Sequence, residues 1–319
     1  MGKKVISVLI PTFNEEENAI PIYQAVKKVL AEDLPQYDYE ILFIDNKSKD
    51  NTREKIAWIC NQDSKVRAIF NVKNFGQFNS PYYGLINTSG DCVISLCADF
   101  QDPVDMIPKF VSEWEKGYKI VCAIKTHSKE NKIMYFLRGC YYKLIHSVSS
   151  AEMIEHFTGF GLYDKSFIDV LRSLKDPTPF YRGLVAELGF DRKEIEYTQQ
   201  KRRAGKTSNN WSTLYDAAML SFTSYTKIGL RIPAILGSIL AFICVIIAVV
   251  ILGVKIFNWN DFDCGGAFIA DGLFFIGSIQ LIFIGILGEY ILALNERLKN
   301  RPLVVEEKRL NFNISEENQ

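Results

Sequence analysis

From Ile232 to Val254 the chain runs for 23 residues without a charge, bracketed by Arg231 and Lys255. A helix of that length can cross a bilayer with some tilt. A second uncharged stretch, Gly272 to Gly288, continues through Tyr290, Ile291 and Leu292, with Asp271 and Glu289 on its flanks. Alone, the second stretch also fits a buried core helix. Two in tandem, joined by a short loop, point to a transmembrane hairpin. Lys227 and Arg231 precede the first span, and Arg297, Lys299 and Arg301 follow the second. The connecting segment sets Lys255 against Asp261, Asp263 and Asp271. The positive-inside rule then puts both chain ends in the cytoplasm and the loop outside, as expected for an inner-membrane protein with two spans. The plan this predicts is a cytosolic domain over 1–210, an amphipathic interfacial helix over 211–230, a span over 231–257, an external loop over 258–270, a span over 271–295 and a cytosolic tail over 296–319. The interfacial helix rests on Trp211, Leu214, Ala218, Phe222 and Tyr225, which recur at helical spacing with polar Asp216 and Ser221 between them.

Composition narrows the rest. Lys+Arg and Asp+Glu balance at 37 each, so no global field selects nucleic acid. The seven cysteines have no close pair at metal-ligand spacing, which fits reduced thiols facing a cytosol. His127, His146 and His156 lack ligand spacing as well. The N-terminal Met-Gly-Lys-Lys, followed by a short apolar run and Pro11, is too short for a signal peptide.

Residues 1–125 alternate strand and helix signals. Val5–Ile10, Tyr39–Ile44, Val66–Phe70, Cys92–Leu96 and Lys119–Ala123 are short β-branched or aromatic runs. Between them, Ile22, Val26, Val29 and Leu30 share a helical face, as do Ile56, Ile59 and Cys60, and Phe110 and Trp114. This order predicts an α/β fold with a doubly wound, mostly parallel sheet. Each strand ends in polar residues: Pro11-Thr-Phe-Asn-Glu15, Asp45-Asn-Lys-Ser48, Lys73-Asn-Phe-Gly76 and Asp99. Four polar strand ends on one edge form a pocket, where open parallel sheets bind ligands. No Gly-x-Gly-x-x-Gly follows the first strand, which disfavours a dinucleotide fold.

Asp99 and Asp102 close the run Val93-Ile-Ser-Leu-Cys-Ala-Asp-Phe-Gln-Asp-Pro103. Asp102 is placed to cap the following helix, with Pro103 at its first position. Asp99 has no such duty, and a carboxylate there suits a divalent cation held against a ligand's phosphates. Glu15, beside Glu16 and Glu17, fits a helix start as well as a ligand contact. Farther on, a helical stretch around 134–148 carries Arg138, which fits a solvated face. Thr158-Gly-Phe-Gly161 reads as a loop, Phe180-Tyr-Arg-Gly-Leu184 begins an element, and Glu194–Tyr197 reads as a strand. Lys201-Arg-Arg-Ala-Gly-Lys206 is either a solvated basic loop or a mobile clamp on phosphates.

Taken in order, Pro-Thr-Phe-Asn-Glu-Glu, Ile44-Asp-Asn-Lys-Ser-Lys-Asp50, Lys73-Asn-Phe-Gly76 and Asp99-Phe-Gln-Asp-Pro103 resemble the motif series of family 2 glycosyltransferases. With Arg182-Gly183, Arg203-Ala-Gly-Lys206 and the apolar hairpin, the chain looks like the polyprenyl-phosphate type, akin to bactoprenol glucosyltransferases and dolichol-phosphate mannose synthases. The likeness extends from about Val5 to Arg301. It implies a GT-A-like domain that moves a hexose, with inversion, from a UDP- or GDP-sugar to polyprenyl (undecaprenyl) phosphate on the cytoplasmic face. By resemblance, Pro11, Thr12, Glu15, Asp45, Asn74 and Gly76 bind the nucleotide. Asp99 holds Mg²⁺ or Mn²⁺, and Gln101 and Asp102 line the sugar side as catalytic residues. Lys125, Arg138, Arg182, Arg203 and Lys206 receive the lipid phosphate or the leaving diphosphate. Similar enzymes are in some cases tetramers, so a homo-oligomer is expected.

Three departures stand out. Asn46-Lys47 replaces an acidic residue and a glycine, Cys97 replaces an aspartate, and Gly159 stands where a base aspartate is often found. They leave two alternatives to the leading reading: a different lipid acceptor, or a non-catalytic membrane adaptor that keeps the fold. Two spans are too few for a processive synthase with its own channel.

Overall fold

The computed structural model describes residues 2–127, 154–205 apart from 175 and 178, isolated positions between 215 and 223, and 228–257, 266–299 and 301–312. It divides into two compact units. One comprises residues 1–143, 151–210 and 299–319; the other comprises 144–150 and 211–298.

The first unit is built on an eight-stranded sheet. Its strands are β1 (Val5–Thr12), β2 (Asp38–Asp45), β3 (Val66–Asn71), β4 (Cys92–Ser95), β5 (Ile120–His127), β6 (Phe157–Asp164), β7 (Arg192–Thr198) and β8 (Glu306–Leu310), in the order β7-β5-β6-β4-β1-β2-β3-β8. The helices are α1 (Ala19–Glu32), α2 (Thr52–Gln62), α3 (Gly76–Ile86), α4 (Ile107–Glu115), α5 (Lys165–Ser173) and α6 (Tyr181–Glu187). The central pairs β1–β2, β1–β4 and β2–β3 are parallel, as is β5–β7, whereas β6 and β8 run antiparallel to their neighbours.

Period-two alternation sorts the strand residues onto two faces. Ile6, Val8, Ile10, Ile41 and Phe43 pack under α1, α2 and α4 through Ile22, Val26, Ile56, Ile59, Phe110 and Trp114. Leu9, Leu42, Ile44 and Ile69 point to the other face, against Tyr82, Leu85, Phe167, Leu171 and Val185 of α3, α5 and α6. Each of these fully buried aliphatic or aromatic side chains contributes roughly 1.5–3 kcal/mol. Helices on both faces explain why the central strands read as continuous apolar runs.

Two expectations need correction. Thr158–Gly161 is not a loop but part of β6, inserted between β4 and β5. A Cβ at Gly161 would lie 2.2 Å from the Val121 carbonyl oxygen, so the glycine is what lets β6 approach β5. The ladder slips between Cys122 and Ile124, a bulge that glycines accommodate. Nor does Asp102 cap a helix. The 3₁₀ turn Val104–Met106 that leads into α4 has no side-chain cap, and the Asp102 carboxylate turns back into the fold.

The second unit contains α7 (Ile228–Phe257) and α8 (Gly266–Leu298), 30 and 33 residues long. Among the described residues, one segment, Phe275–Leu298, is long and apolar enough to cross a membrane, with a hydropathy of 1.9 and none of its window buried. Ile235, Ile239, Phe242 and Val249 of α7 are also exposed. Tyr215 donates to Glu289 at 3.2 Å, and Phe222 meets Tyr290 edge-on. Most of the expected interfacial helix, the residues joining α7 to α8 and the 134–148 stretch lie outside the described residues.

Candidate active site

Parallel pairing brings Thr12 beside Asp45, Asp45 beside Phe70, and Leu9 beside Ser95, so the carboxyl ends of β1 to β4 share one edge. A cavity of about 380 Å³ opens there. It is lined by Pro11 and Thr12 at the end of β1, by Phe13 and Glu15 just beyond it, and from α3 by Gly76, Gln77, Ser80 and Pro81. The segment after β4 adds Cys97, Asp99, Gln101 and Asp102; β6 adds Thr158, Gly159 and Phe160; Tyr181, Arg182 and Arg202 complete the wall.

Several side chains expected on sequence grounds therefore meet here: Pro11, Thr12, Glu15, Gly76, Asp99, Gln101, Asp102 and Arg182. Others are placed differently. Asp45 is fully buried beneath the edge and absent from the lining. Its Oδ1 accepts from Arg53 Nε at 2.6 Å and from the Ser48 amide at 3.1 Å, and its Oδ2 accepts from the Ser48 hydroxyl. Asn46 takes its place in the lining. That amide accepts from Asn71 Nδ2 at 3.2 Å and the Phe75 amide at 2.8 Å, and donates to Asn74 Oδ1 at 2.9 Å and the Gly76 carbonyl at 3.1 Å. Asn74 is an exposed brace that also accepts from the Gly76 amide at 2.7 Å. The loop before α3 is thus held by side-chain amides, with Gly76 at φ +89° where a β-carbon would be strained.

Lys47, in place of the family's glycine, adopts φ +65° and pairs with Glu307 of β8 at 2.6 Å. Glu307 also receives Arg53 at 2.9 Å, and these two cations hold its carboxyl down at about 2.

Asp99 Oδ1 accepts from the Gln101 amide at 3.0 Å, while Oδ2 faces Arg202 Nη1 at 3.7 Å. The other arm of the Arg202 guanidinium pairs with Glu15 Oε1. Glu15 Oε2 accepts from Asn18 Nδ2 at 2.7 Å, and burial raises the pKa of this carboxyl above its usual value. Asp102 accepts from the Cys97 amide at 2.9 Å and from the Tyr197 hydroxyl at 3.2 Å; burial raises it too. Arg203, the cation singled out in the basic run, instead lies over the Phe100 ring at 5.4 Å, and its amide bonds the Asp99 carbonyl at 3.1 Å. Lys125 sits on β5, outside the lining. Arg138 and Lys206 lie outside the described residues.

Sequence reasoning missed Arg202, Asn46 and Thr158. The basic run contains Arg202, but spacing alone cannot show which of its four cations turns inward. On the far wall, Arg182 Nε and Thr158 Oγ1 are buried and have no protein partner. The Arg182 guanidinium rests 5.7 Å from the Phe78 ring. Unpaired buried polar atoms are costly, and two in one cavity wall mark a surface built for a polar ligand.

Among the described residues no group of three or more His, Cys, Asp or Glu side chains forms a self-contained metal cage. The donor set is nonetheless suited to a hard cation of the substrate-bridging kind, which needs one or two carboxylates and takes its other oxygens from phosphates and water. Glu15 and Asp99 already converge on one positive group.

Comparison with known proteins agrees with this geometry. Bactoprenol glucosyl transferase of Shigella phage SfX is 30% identical over 305 residues, 93% of this chain and 97% of the relative. The homologous prophage protein of Escherichia coli (strain K12) is 32% identical over 300 residues, 93% and 96%. Glucosyl-3-phosphoglycerate synthase from Mycobacterium tuberculosis, solved in complex with Mn²⁺ and uridine-diphosphate-glucose, superimposes with a TM-score of 0.50 at 16% identity, over 69% of this chain and 77% of that one. That likeness establishes a shared GT-A-like fold. Residues 7–171 match the sequence model of glycosyl transferase family 2, and the chain belongs to that family.

Proposed function

We propose that this protein moves a hexose from a nucleoside-diphosphate sugar to polyprenyl phosphate, with inversion at the anomeric carbon, on the cytoplasmic face of a membrane that α7 and α8 cross as a hairpin. The observation that carries this reading is the cavity at the ends of β1 and β4. Carboxylates line one side (Glu15, Asp99), and Arg182, whose buried Nε has no partner, lines the other. The similarity to bactoprenol glucosyl transferases across almost the whole of both chains favours a polyprenyl-phosphate acceptor. The exposed apolar surface of α8, together with that of α7, favours a membrane.

The chemistry needs little from the chain in the way of a base. A phosphate monoester has a second pKa near ~6, so the acceptor is largely dianionic at neutral pH. Gly159 in place of an aspartate is then no obstacle. The chain's tasks are alignment and charge. Pro11, Thr12 and the Asn46-braced loop bound the nucleotide side, and Gln101 and Asp102 face the sugar. Arg182 and Thr158 offer donors to phosphate oxygens. Asp99 would hold Mg²⁺ or Mn²⁺, which when bound neutralises charge on the departing diphosphate.

The test is a transfer assay with the purified full-length protein in detergent, Mn²⁺ or Mg²⁺, undecaprenyl phosphate and a panel of radiolabelled UDP- and GDP-hexoses. Lipid-linked product from one donor supports the reading and names the sugar. Transfer to diacylglycerol or ceramide instead would replace the acceptor. Nucleotide binding without transfer to any lipid would leave an adaptor.

A further inference from the structure

The basic segment after β7 is docked on the active-site loop. The Gln200 amide donates to the Gln101 carbonyl at 3.2 Å, the Arg203 amide to the Asp99 carbonyl at 3.1 Å, and Asn18 Nδ2 to the Ala204 carbonyl at 3.3 Å. Those bonds fix Arg202 over the cavity. Its Nε donates to the Ala204 carbonyl at 2.9 Å, one terminal nitrogen pairs with Glu15, and the other lies 3.7 Å from Asp99 Oδ2. All three charged side chains are largely shielded from solvent, with 22% exposure for Arg202 and 9% for each carboxylate. Two carboxylates drawn together out of water repel unless a cation stands between them. Here that cation is the Arg202 guanidinium.

On the metal-dependent reading a divalent ion would be held by Asp99, with the Glu15 carboxylate on the other side of the same guanidinium. A divalent ion and a guanidinium within a few ångströms of each other repel strongly in a shielded site. A nucleoside diphosphate changes the balance, because its oxygens offer the guanidinium a second, bidentate anionic partner. We infer that Arg202 is a charge-exchange residue: it holds the cation's place between Glu15 and Asp99 until the donor arrives, then gives up that place and pairs with the diphosphate. The consequence is linkage. The free protein binds a divalent ion weakly, and nucleotide diphosphate and ion bind with positive coupling. The inference rests on the metal-dependent reading above. The rival is that Arg202 is a permanent ion-pair partner that never leaves the carboxylates.

The experiment is Mn²⁺ titration of the full-length protein in detergent, followed by the loss of the free-ion electron paramagnetic resonance signal, with and without UDP. Wild type is compared with Arg202→Met, Arg202→Gln and Arg202→Lys, each checked for an unchanged melting temperature. Wild type should bind Mn²⁺ weakly alone and about tenfold or more tightly with UDP, within the range of ~5–150-fold usual for coupled sites. Either neutral variant should bind Mn²⁺ alone about tenfold more tightly than wild type and show little further gain with UDP. Arg202→Lys should keep the wild-type pattern. Unchanged or weaker Mn²⁺ binding in both neutral variants, or equal tightening in Arg202→Lys, overturns the exchange. Failure of wild type to bind Mn²⁺ even with UDP overturns the metal-dependent reading itself, a distinct result.

Discussion

The ends of β2 and β4 each present an aspartate on the same edge of the sheet, and the fold treats the two in opposite ways. Asp45, the last residue of β2, is sealed from solvent with Ser48 and Arg53 on its oxygens. Asp99 lies in the loop beyond β4, with one oxygen tied to the Gln101 amide and the other turned to the cavity, facing Arg202 at 3.7 Å. Residue type and strand-end position are shared. Each accepts one backbone amide, and what separates the sealed aspartate from the cavity-facing one is the number of side-chain donors that close on it. Around Asp45, the Ser48 turn and the first turns of α2 saturate it; around Asp99, the left-handed Phe100 at φ +62° turns the chain so that one oxygen stays outward.

Exchange of the two aspartates' roles would break this contrast, and paired substitutions test it. The largest effect is expected for Asp99→Ala, which should lower hexosyl transfer by about a hundred- to a thousandfold, since removing a main electrostatic stabiliser costs ~2.7–4 kcal/mol in the transition state. Its stability should change less than that of Asp45→Ala, because Glu15 still pairs the Arg202 guanidinium. Asp45→Ala should show the reverse emphasis. It removes the buried acceptor of the Ser48 and Arg53 hydrogen bonds, while Glu307 and the Asn71 carbonyl still hold the Arg53 guanidinium, and should cost about 1–3 kcal/mol of stability in thermal or denaturant unfolding. A stable Asp45→Ala protein with normal melting would return Asp45 to a ligand role.

The cavity's far wall sharpens the comparison at smaller scale. Gly159 has φ +99°, and a Cβ there would fall 1.8 Å from the Tyr181 hydroxyl. Gly159→Ala should therefore cost roughly 1–3 kcal/mol and push Tyr181 from the wall, lowering transfer. Wild-type stability and turnover in that variant would mean the wall yields freely. Smallest of all is Lys47→Gly. It relieves ~1 kcal/mol of left-handed strain and gives up an exposed, solvent-screened pair with Glu307 that stabilises little. The expected net change in unfolding free energy is neutral to about 1 kcal/mol stabilising. A clear loss would show that the contact with β8 holds more than an exposed ion pair.

Much of the fold was legible because the central strands are buried on both faces and announce themselves as apolar runs. The polar residues that end them mark the functional edge for the same reason. Where that signal lapses, sequence reading lapses with it. β6 hides behind two glycines needed for close approach and a bulge, and α3 contains Pro81. β8, Glu306-Glu-Lys-Arg-Leu310, is an edge strand dense in charge, stabilised by pairing to β3 rather than by burial. In the site, Asp99, Gln101 and Arg182 could be named from the motifs. Arg202 could not be told from Arg203, because a loop's backbone bonds, invisible in the spacing, decide which guanidinium enters the cavity. Cys97 and Gly159 could be recognised as departures, but their position beside an unsatisfied Arg182 Nε and Thr158 Oγ1 emerges only in three dimensions.

The measurement that bears most directly on the account is formation of radiolabelled lipid from undecaprenyl phosphate by the full-length protein, run on wild type and Asp99→Ala with EDTA and then with excess Mn²⁺. The account predicts that EDTA abolishes product in wild type, that Mn²⁺ restores it, and that Asp99→Ala makes almost none under either condition while still unfolding cooperatively. Undiminished transfer in EDTA, or full activity in a folded Asp99→Ala protein, would contradict it.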